Sequence, residues 1–307
     1  MKLKIQNTIA TFLILFCMAG AAEAKNIIVT NSADSGTGSL REAIETSADG
    51  DTILFKAAFT IYLETELFLS NKAIVIDGLV DGKKVQLDGS YSDADNDTID
   101  DDGIYTRIFK LIGVDKKYVT LSNLVIQNGC TPIVTETDSV YAYGSGLYID
   151  DWNGGYTTIE NCIIENNILI YRENILSKAK TAYIKGAGVF STLGGDFSDC
   201  TIRNNKIIAY NNKTLVSAGA GGCFETKCHF TRCLIAGNQL LAYSIVDNSI
   251  FTQGGGLFMG YYGAVINSVI LGNSINTIDI GSKIILVLCV AVVFHYIILQ
   301  LITLILY

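Results

Sequence analysis

The sequence predicts an all-β fold in which short parallel strands stack into a β-solenoid, and three observations support this prediction. A ten-residue segment recurs five times, at intervals of 33 to 38 residues. The β-prone runs within each repeat are only about four or five residues long, too short for the helices of a helical repeat protein. Glycine or asparagine punctuates these runs, as expected where the chain turns a corner.

A first repeated series defines an interior position of the predicted solenoid. In each copy a small or medium side chain is followed two residues later by an apolar one, and residues two apart point to the same face of a strand. Free cysteine behaves as a small hydrophobe in such a position. We therefore predict a column that includes stacked, reduced thiols, with a disulfide or a metal site as the alternatives. The equivalent residues are Leu124, Cys162, Cys200, Cys233 and Ser268.

Two further series complete each repeat and predict three strands per coil. One series is glycine-rich and aligns the aromatic residues Tyr148, Phe190, Phe224 and Phe258. The other aligns residues 207–210 with residues 240–243. Stacking three short strands per coil in parallel gives a right-handed parallel β-helix as the predicted architecture.

Asparagines follow the first series at the point where the chain must turn. Asparagine tolerates the left-handed conformation that a sharp corner requires. Equivalent side chains in successive coils would then stack, so we predict a structural asparagine ladder. Its members are Asn166, Asn167, Asn204, Asn205, Asn238 and Asn273.

The two ends of the chain differ from the repeats. Residues 1–24 combine two lysines, an apolar stretch and a small-x-small site ending at Ala24, which is typical of a cleaved secretory signal peptide. Residues 284–307 carry no formal charge and are long enough to span a bilayer, as a helix or tail. This segment is either a transmembrane anchor or a truncated or frame-shifted end, where a further repeat should have followed. The predicted β-helix domain spans residues 25–283, with its repeats at about 104–280.

Residues 25–56 are predicted to cover one open end of the solenoid. Ser39 and Glu42 form a capping box that starts a short helix, with Leu40 and Ile44 on one face. An amphipathic helix in this place would keep the edge strands of the first coil from recruiting another strand.

Composition excludes two broad classes of protein. Half of the 307 residues are hydrophobic and only 17% are charged, unlike an intrinsically disordered chain. The formal net charge is -8, which argues against binding to nucleic acid through phosphate contacts.

Carboxylates were compared between repeats because a hydrolase of this fold needs two of them on nearby coils. Asp150 and Asp151 follow the first glycine-rich strand. The alignment puts Thr192-Leu193 and Thr226-Lys227 at the equivalent positions, and it leaves Asp196 and Glu225 unmatched. We therefore assign no catalytic residue, and enzyme activity is the less favoured alternative.

The run of residues 93–103 is the most concentrated acidic feature, with six aspartates. Asp93, Asp95 and Asp97 alternate along the chain, as oxygen ligands do in calcium loops, so they are a weak Ca²⁺ candidate. The alternative is a solvated acidic loop. Cys223, Cys228 and His229 are a weaker metal motif, because no second ligand pair accompanies them.

Segments of variable length separate each asparagine corner from the next glycine-rich strand. In a solenoid they emerge at the same corner and line one face, where exposed tyrosines suit contact with glycans or proteins. Alternatively, Tyr210 and Tyr243 form an ordinary stacked ladder. The segments are 129–143, 168–185, 206–218 and 239–253, and their tyrosines are Tyr141, Tyr143, Tyr171, Tyr183, Tyr210 and Tyr243.

The chain resembles secreted bacterial right-handed parallel β-helix proteins, of pectin-lyase-like fold, that carry a CSLREA-type leader. The resemblance lies in residues 34–44, followed by residues 50–53, although Gly38 stands where the leader has cysteine. Residues 74–78, 86–89 and 107–109 also fit this family. The glycine-rich and asparagine–cysteine elements loosely resemble the repeats of polymorphic outer-membrane proteins. Adhesins, surface-layer components and carbohydrate-active enzymes all occur among such proteins.

The resemblance implies export to the cell surface, the outer membrane or the extracellular space. We expect a non-catalytic protein, adhesin-like or structural, that binds glycans or partner proteins, with possible membrane anchoring through residues 284–307. The alternative is a polysaccharide lyase or glycoside hydrolase of the β-helix fold. A third hypothesis is a degenerate member of the family without activity. No cofactor other than Ca²⁺ is expected.

Overall fold

The computed structural model describes residues 23–91, 106–113, 116–133, 139–151, 154–172, 181–211, 214–244, 250–279 and 284–288. Within these ranges the chain forms one helix and 32 strands, which confirms the all-β prediction. The predicted signal peptide lies outside the described residues apart from its last two positions. Asp93, Asp95, Asp97 and residues 289–307 lie outside them as well.

Three sheets, A, B and C, enclose the main core, and all their pairings are parallel except that of β6 with β7. Sheet A contains β1 (Asn26–Val29), β2 (Thr52–Phe55), β5 (Val75–Asp77), β9 (Tyr118–Ser122), β14 (Tyr156–Glu160), β19 (Gly195–Ser198), β24 (Cys228–Thr231) and β29 (Ala264–Ile266). Sheet B contains β3 (Thr60–Tyr62), β6 (Leu79–Val80), β7 (Lys83–Asp88), β10 (Leu124–Gln127), β15 (Ile163–Glu165), β20 (Thr201–Arg203), β25 (Leu234–Ala236) and β30 (Val269–Leu271). Sheet C contains β4 (Leu67–Ser70), β8 (Phe109–Ile112), β13 (Leu147–Asp150), β18 (Val189–Ser191), β23 (Gly222–Phe224) and β28 (Leu257–Met259).

Two more sheets, D and E, extend from the corner between sheets B and C. Each later coil therefore has five strands and not the predicted three. Sheet D contains β11 (Cys130–Ile133), β16 (Ile168–Arg172), β21 (Lys206–Asn211), β26 (Gln239–Ser244) and β31 (Ser274–Asp279). Sheet E contains β12 (Ser139–Tyr143), β17 (Thr181–Lys185), β22 (Thr214–Ala218), β27 (Ile250–Gln253) and β32 (Ile284–Leu288).

The variable segments form sheets D and E because they alternate apolar and polar residues. Their apolar sides pack face to face around a second core that includes Leu169, Ala182 and Ile207. The prediction that these segments emerge at one corner is confirmed. The third repeated series, Ile207–Tyr210 with Leu240–Tyr243, pairs in register within sheet D.

The first repeated series forms a single column, as predicted. The residues that follow its members pair in order from Val125 through Ile163 to Thr201, and then on to Leu234 and Val269. Neighbouring members also touch, since the Cys233 N–H donates to Ser268 Oγ at 2.9 Å. The three cysteines of this column, Cys162, Cys200 and Cys233, are buried and form no disulfide. The predicted ladder of reduced thiols is therefore confirmed.

The asparagine ladder is also confirmed, and neighbouring asparagines have different structural roles in it. Asn166 and Asn204 take the left-handed conformation, with φ of 55° and 56°. The next residue in each coil turns inward and accepts a hydrogen bond from the backbone of the coil before it. Asn167 N–H donates to Asn205 Oδ1 at 3.0 Å, and Asn205 N–H donates to Asn238 Oδ1 at 2.9 Å. Each buried amide thus satisfies backbone groups that would be costly to leave unpaired.

In the second repeated series Tyr148, Phe190 and Phe258 lie in one column as predicted, but Phe224 is displaced from it by one residue. Phe190 pairs with Cys223, and Cys223 pairs with Phe258. Phe224 instead points into the core, where it packs edge-on against Phe197 with ring centroids 5.4 Å apart. Gly222 makes this possible, because a Cβ there would lie 2.5 Å from the ring of Phe224.

The N-terminal helix α1 (Leu40–Thr46) forms as predicted and lies against β1 at one end of sheet A. Ser39 Oγ accepts from the Glu42 N–H at 3.2 Å, and the Glu42 carboxylate accepts from the Gly38 N–H. Leu40 and Ile44 are buried in the main core. These contacts cover the first coil.

The first five residues of the hydrophobic tail continue the solenoid. They form β32, which pairs in parallel with β27. Among the described residues, no helix is both long and apolar enough to cross a membrane.

Candidate binding groove

Sheets E and C meet at a glycine corner, and their outer faces enclose a groove that runs along the stacking direction. Gly144, Gly186, Gly219 and Gly254 form this corner, with φ between 57° and 67°. A Cβ on Gly186 would lie 2.1 Å from the carbonyl oxygen of Val189, so only glycine allows the sharp turn. The corner brings side chains of both sheets into one cluster.

The floor of the groove is the outward column of sheet C. It consists of Lys110, Tyr148, Phe190, Cys223 and Phe258, which pair in this order across five strands. Phe190 and Cys223 are buried, whereas Tyr148 and Phe258 are half-buried. Four strand spacings of about 4.8 Å make the floor roughly 19 Å long.

One wall of the groove comes from the ends of the strands of sheet E. Tyr143 stacks on Phe190 with ring centroids 4.2 Å apart and planes inclined by 9°. The Lys185 ammonium lies 6.0 Å from the ring centroids of both Tyr143 and Tyr183. Further out, Tyr141 stacks on Tyr183 at 5.1 Å, and Tyr141 is 61% exposed. Aromatic surface therefore extends from the floor up this wall.

The next outward column of sheet C, two residues further along each strand than the floor, carries two carboxylates. Backbone pairing places Asp150 beside Thr192, and Thr192 beside Glu225. Thr192 Oγ1 donates to Asp150 Oδ1 at 2.7 Å, and Lys185 Nζ donates to Glu225 Oε1 at 2.8 Å. Glu225 was left unmatched by the sequence alignment, which was wrong here because of the one-residue displacement at Gly222.

Two cations line the N-terminal end of the groove. Arg107 pairs with Glu66 at 2.7 Å and donates to the carbonyl oxygen of Tyr143 at 2.9 Å. Its guanidinium lies 5.2 Å from the ring centroid of Tyr148. Lys110 lies 5.8 Å from the same ring and 5.9 Å from that of Phe68. These contacts fix both cations beside aromatic faces.

The groove keeps its hydroxyl and thiol groups protonated. Burial, followed by the Glu225 carboxylate, raises the pKa of Tyr143. Burial and the Asp150 carboxylate raise the pKa of Tyr148. Burial raises the pKa of Cys223 to about 12. The tyrosines are therefore neutral hydrogen-bond donors at physiological pH, and Cys223 is not a nucleophile.

The weak cysteine–histidine metal motif is not assembled. Cys223 lies in the groove floor, whereas Cys228 lies in the main core. His229 lies on the outer face of sheet A, where its Nδ1 is 2.8 Å from Asp196 Oδ1. No group of three metal-ligating side chains occurs in the described part of the chain. The calcium candidate Asp93, Asp95 and Asp97 lies outside that part.

Two other polar features have structural explanations. Asp196 also accepts from the Tyr156 hydroxyl at 2.6 Å, so it links Tyr156 and His229 on a sheet face. A shallow depression at the corner between sheets B and D is lined by Tyr91, Asn128, Asn166 and neighbouring residues. Both of these asparagines have positive φ, so they serve to turn the chain.

The tyrosines of the variable segments separate into three groups. Tyr171 is fully buried in the core between sheets D and E. Tyr210 and Tyr243 stack at 4.5 Å on the outer face of sheet D, which confirms the ladder interpretation. Tyr141, Tyr143 and Tyr183 belong to the groove wall, where Lys185 lies beside Tyr143 and Tyr183.

Comparison of the chain with protein-family models, with curated proteins and with solved structures finds no match.

Proposed function

We propose that this protein is an exported, non-catalytic β-helix protein that binds glycans in the groove between sheets C and E. In this proposal it acts at the cell surface or in the extracellular space, as an adhesin-like or structural component. The observation that carries the proposal is the groove's line of aromatic side chains, with hydrogen-bonding groups on the wall from sheet E and in the next column of sheet C.

The chemistry of the groove suits a sugar chain. A sugar ring presents apolar C–H groups on its faces and hydroxyls at its edge, and binding sites match this with apolar surface and a few placed polar groups. Tyr143 and Tyr148 supply aromatic surface and hydroxyl donors. Asp150 and Glu225 supply acceptors, and Lys185 supplies a donor. The neutral tyrosines require no counter-charge on the ligand.

The dimensions of the groove favour a polymer over a small molecule. Its floor crosses five strands in one direction, which is roughly 19 Å at about 4.8 Å per strand spacing. An extended chain would lie along this direction and contact equivalent positions in successive coils. Export is supported by the signal-like residues 1–24 and by the resemblance of residues 34–44 to a secreted leader.

A glycan array probed with the full-length protein tests the proposal. We expect binding to a restricted set of glycans, and we expect Tyr148→Ala to weaken it by about 2 kcal/mol, a loss of roughly thirtyfold. The matched control is Tyr118→Ala, since Tyr118 is 61% exposed on the outer face of sheet A, away from the groove. Absence of binding across the array, or equal losses for both variants, would contradict the proposal.

Hydrolysis of a glycan is the second candidate, and the positions of Asp150 and Glu225 favour it. One strand separates them, so their backbones are about 9.6 Å apart. Inverting glycosidases use carboxyl groups roughly 6.5–9.5 Å apart, with a water between them.

A reducing-sugar assay on the array glycans separates the two candidates. A hydrolase would release reducing ends, and both Asp150→Asn and Glu225→Gln would abolish the release while Thr192→Val retained part of it. If no reducing ends form although the glycan binds, the non-catalytic function stands.

A further inference from the structure

The last described coil differs from those before it in carrying a single charged residue, Asp279 at the end of β31. Residues 250–278 contain no Asp, Glu, Lys, Arg or His. Its outward side chains Ile266, Val269 and Leu271 are 48%, 52% and 46% exposed. Earlier coils carry Glu165 and Arg203 in the column of Leu271. The solenoid thus becomes apolar on its outer surface at this end.

The core is also open at this end. Met259, Val265 and Ile270 point inward but are only partly buried. Their equivalents in the preceding coil, Phe224, Phe230 and Ile235, are 0% exposed. At the opposite end, α1 covers the first coil. The apolar interior at the C-terminal end therefore lacks a comparable cover within the described residues.

The backbone N–H groups at the C-terminal end determine which kind of segment can cover it. Val269 donates its N–H to the carbonyl oxygen of Cys233 in the preceding coil. Since alternate residues of a strand point to opposite edges, the N–H of Ile270 faces the open side. Lipid cannot satisfy such groups, whereas an added strand can. The edge strands β28, β29 and β30 also lack the lysine, proline or inward charge that normally prevents strand addition.

The sequence of the chain's own continuation fits this edge. Leu288 of β32 pairs with Gln253, an offset of 35 residues. If the same offset is applied to the sequence that follows, residues 292–294 (VVF) align with β28 (LFM), and residues 303–306 (TLIL) align with residues 268–271 (SVIL). This alignment matches Thr303 with Ser268, the last member of the first repeated series.

We propose that residues 289–306 add to the open C-terminal end as a further partial coil, through parallel strands placed against β28, β29 and β30. Apart from His295, Gln300 and Thr303 the segment is apolar, and it contains no Asp, Glu, Lys or Arg. The outward side chains Ile266, Val269 and Leu271 at this end are apolar as well. It follows directly from β32, so no separate partner has to be recruited. The corners differ from the regular pattern, because Cys289 and Ile302 stand where the preceding coil has Gly254 and Asn267. The proposal concerns the strands and does not depend on the proposed function.

A cysteine cross-link in the full-length chain tests the register directly. Strands in adjacent coils are about 4.8 Å apart, within the Cα separation that a disulfide bridges. In the double variant Ser268→Cys, Thr303→Cys, mild oxidation should link the two positions within one chain, as read by peptide mass spectrometry. The matched control Ser268→Cys, Leu299→Cys should not link, because residue 299 corresponds to Ala264 in another sheet.

Hydrogen exchange on the unmodified chain provides a second measurement that needs no variant. We expect the Ile270 amide to be protected to within tenfold of the Ile235 amide in the preceding coil. Fast exchange at Ile270 would overturn the proposal. A link between two chains, or flotation of the protein with vesicles without the internal link, would also overturn it, in favour of a second copy or a membrane anchor.

Discussion

Asp151 places a carboxyl group inside the turn between sheets C and A, where the side chain is 2% exposed. Its Oδ1 accepts from Thr157 Oγ1 at 3.1 Å, but its buried Oδ2 has no hydrogen-bond partner. Burial raises the pKa of Asp151 to about 6. Although it adjoins Asp150, it faces away from the groove, so we assign it no part in binding.

The raised pKa of Asp151 predicts a specific pH dependence of stability. The folded protein keeps this proton to a higher pH than the unfolded chain does. The free energy of unfolding should therefore fall as the pH rises from 4 to 6, by roughly 2 to 3 kcal/mol, and should stay lower above pH 6. The Asp151→Asn variant carries a neutral amide, so its free energy of unfolding should not show this decline.

Urea titrations of the wild-type protein and of Asp151→Asn between pH 4 and 8 measure this difference. Asp150→Asn is the control, because the Asp150 carboxyl lies in the outward column of sheet C next to the groove floor, and it should behave as the wild type does. If the free energies of unfolding of the wild type and of Asp151→Asn changed with pH in the same way over this range, Asp151 would not be the buried acid described above.

Strands β18 and β23 fill the same volume of the core in different ways. In β18 the larger residue Val189 comes first and the smaller Ser191 follows. In β23 the order is reversed, with Gly222 opposite Val189 and Phe224 opposite Ser191. The ring of Phe224 occupies the space above Gly222, since a Cβ at that glycine would contact it at 2.5 Å.

Because the large and the small residue exchange places between the two strands, we predict that two substitutions in β23 compensate for each other. Gly222→Val alone should destabilise the protein by about 1 to 3 kcal/mol through overpacking. Phe224→Ser alone should cost about 3 to 5 kcal/mol, because it leaves a cavity. The double variant copies the pair in β18. Its free energy of unfolding should fall by clearly less than the sum of the losses of the two single variants. Chemical denaturation of the three variants measures the coupling, and strict additivity would argue against the observed register.

The elements that were predictable from sequence depend on local patterns. Residues two apart share a strand face, so the column from Leu124 to Ser268 follows from the repeat itself. The capping residues Ser39 and Glu42 likewise specify the start of α1 without tertiary information. Sheets D and E were not predicted, because the spacing of their strands varies between repeats. Their alternation of apolar and polar residues specifies strands only when the two sheets pack against each other.

The groove itself was missed because its register depends on packing. Matching aromatic residues between repeats aligned Phe224 with Phe190, whereas the exchange between Gly222 and Phe224 shifts the true pairing by one residue. One signal in the sequence could have corrected this. Gly186-Ala-Gly recurs as Gly219-Ala-Gly, and this offset of 33 places Cys223 with Phe190 and Glu225 with Thr192.

At the scale of the whole molecule, the two ends of the solenoid differ in chemistry. The corner between sheets C and E also differs from the corner between sheets B and D. The N-terminal end is closed by α1, and charged pairs such as Arg41 with Asp34 hold the loops around it. The C-terminal end carries only Asp279 as a charged residue and is open, within the described residues. Between them, the groove keeps aromatic and charged residues together along the stacking axis. This arrangement makes the stacking axis the direction of the proposed ligand.

The affinity of the groove for oligosaccharides of increasing length tests the central claim most directly. Isothermal titration calorimetry with a length series of the glycan identified on the array is the measurement. We predict that affinity rises with each added sugar until the ligand spans about 19 Å, the length of five strands, and then levels off. The double variant Tyr143→Ala, Tyr148→Ala should flatten this rise. A single sugar that binds as tightly as the longest oligosaccharide would contradict the account.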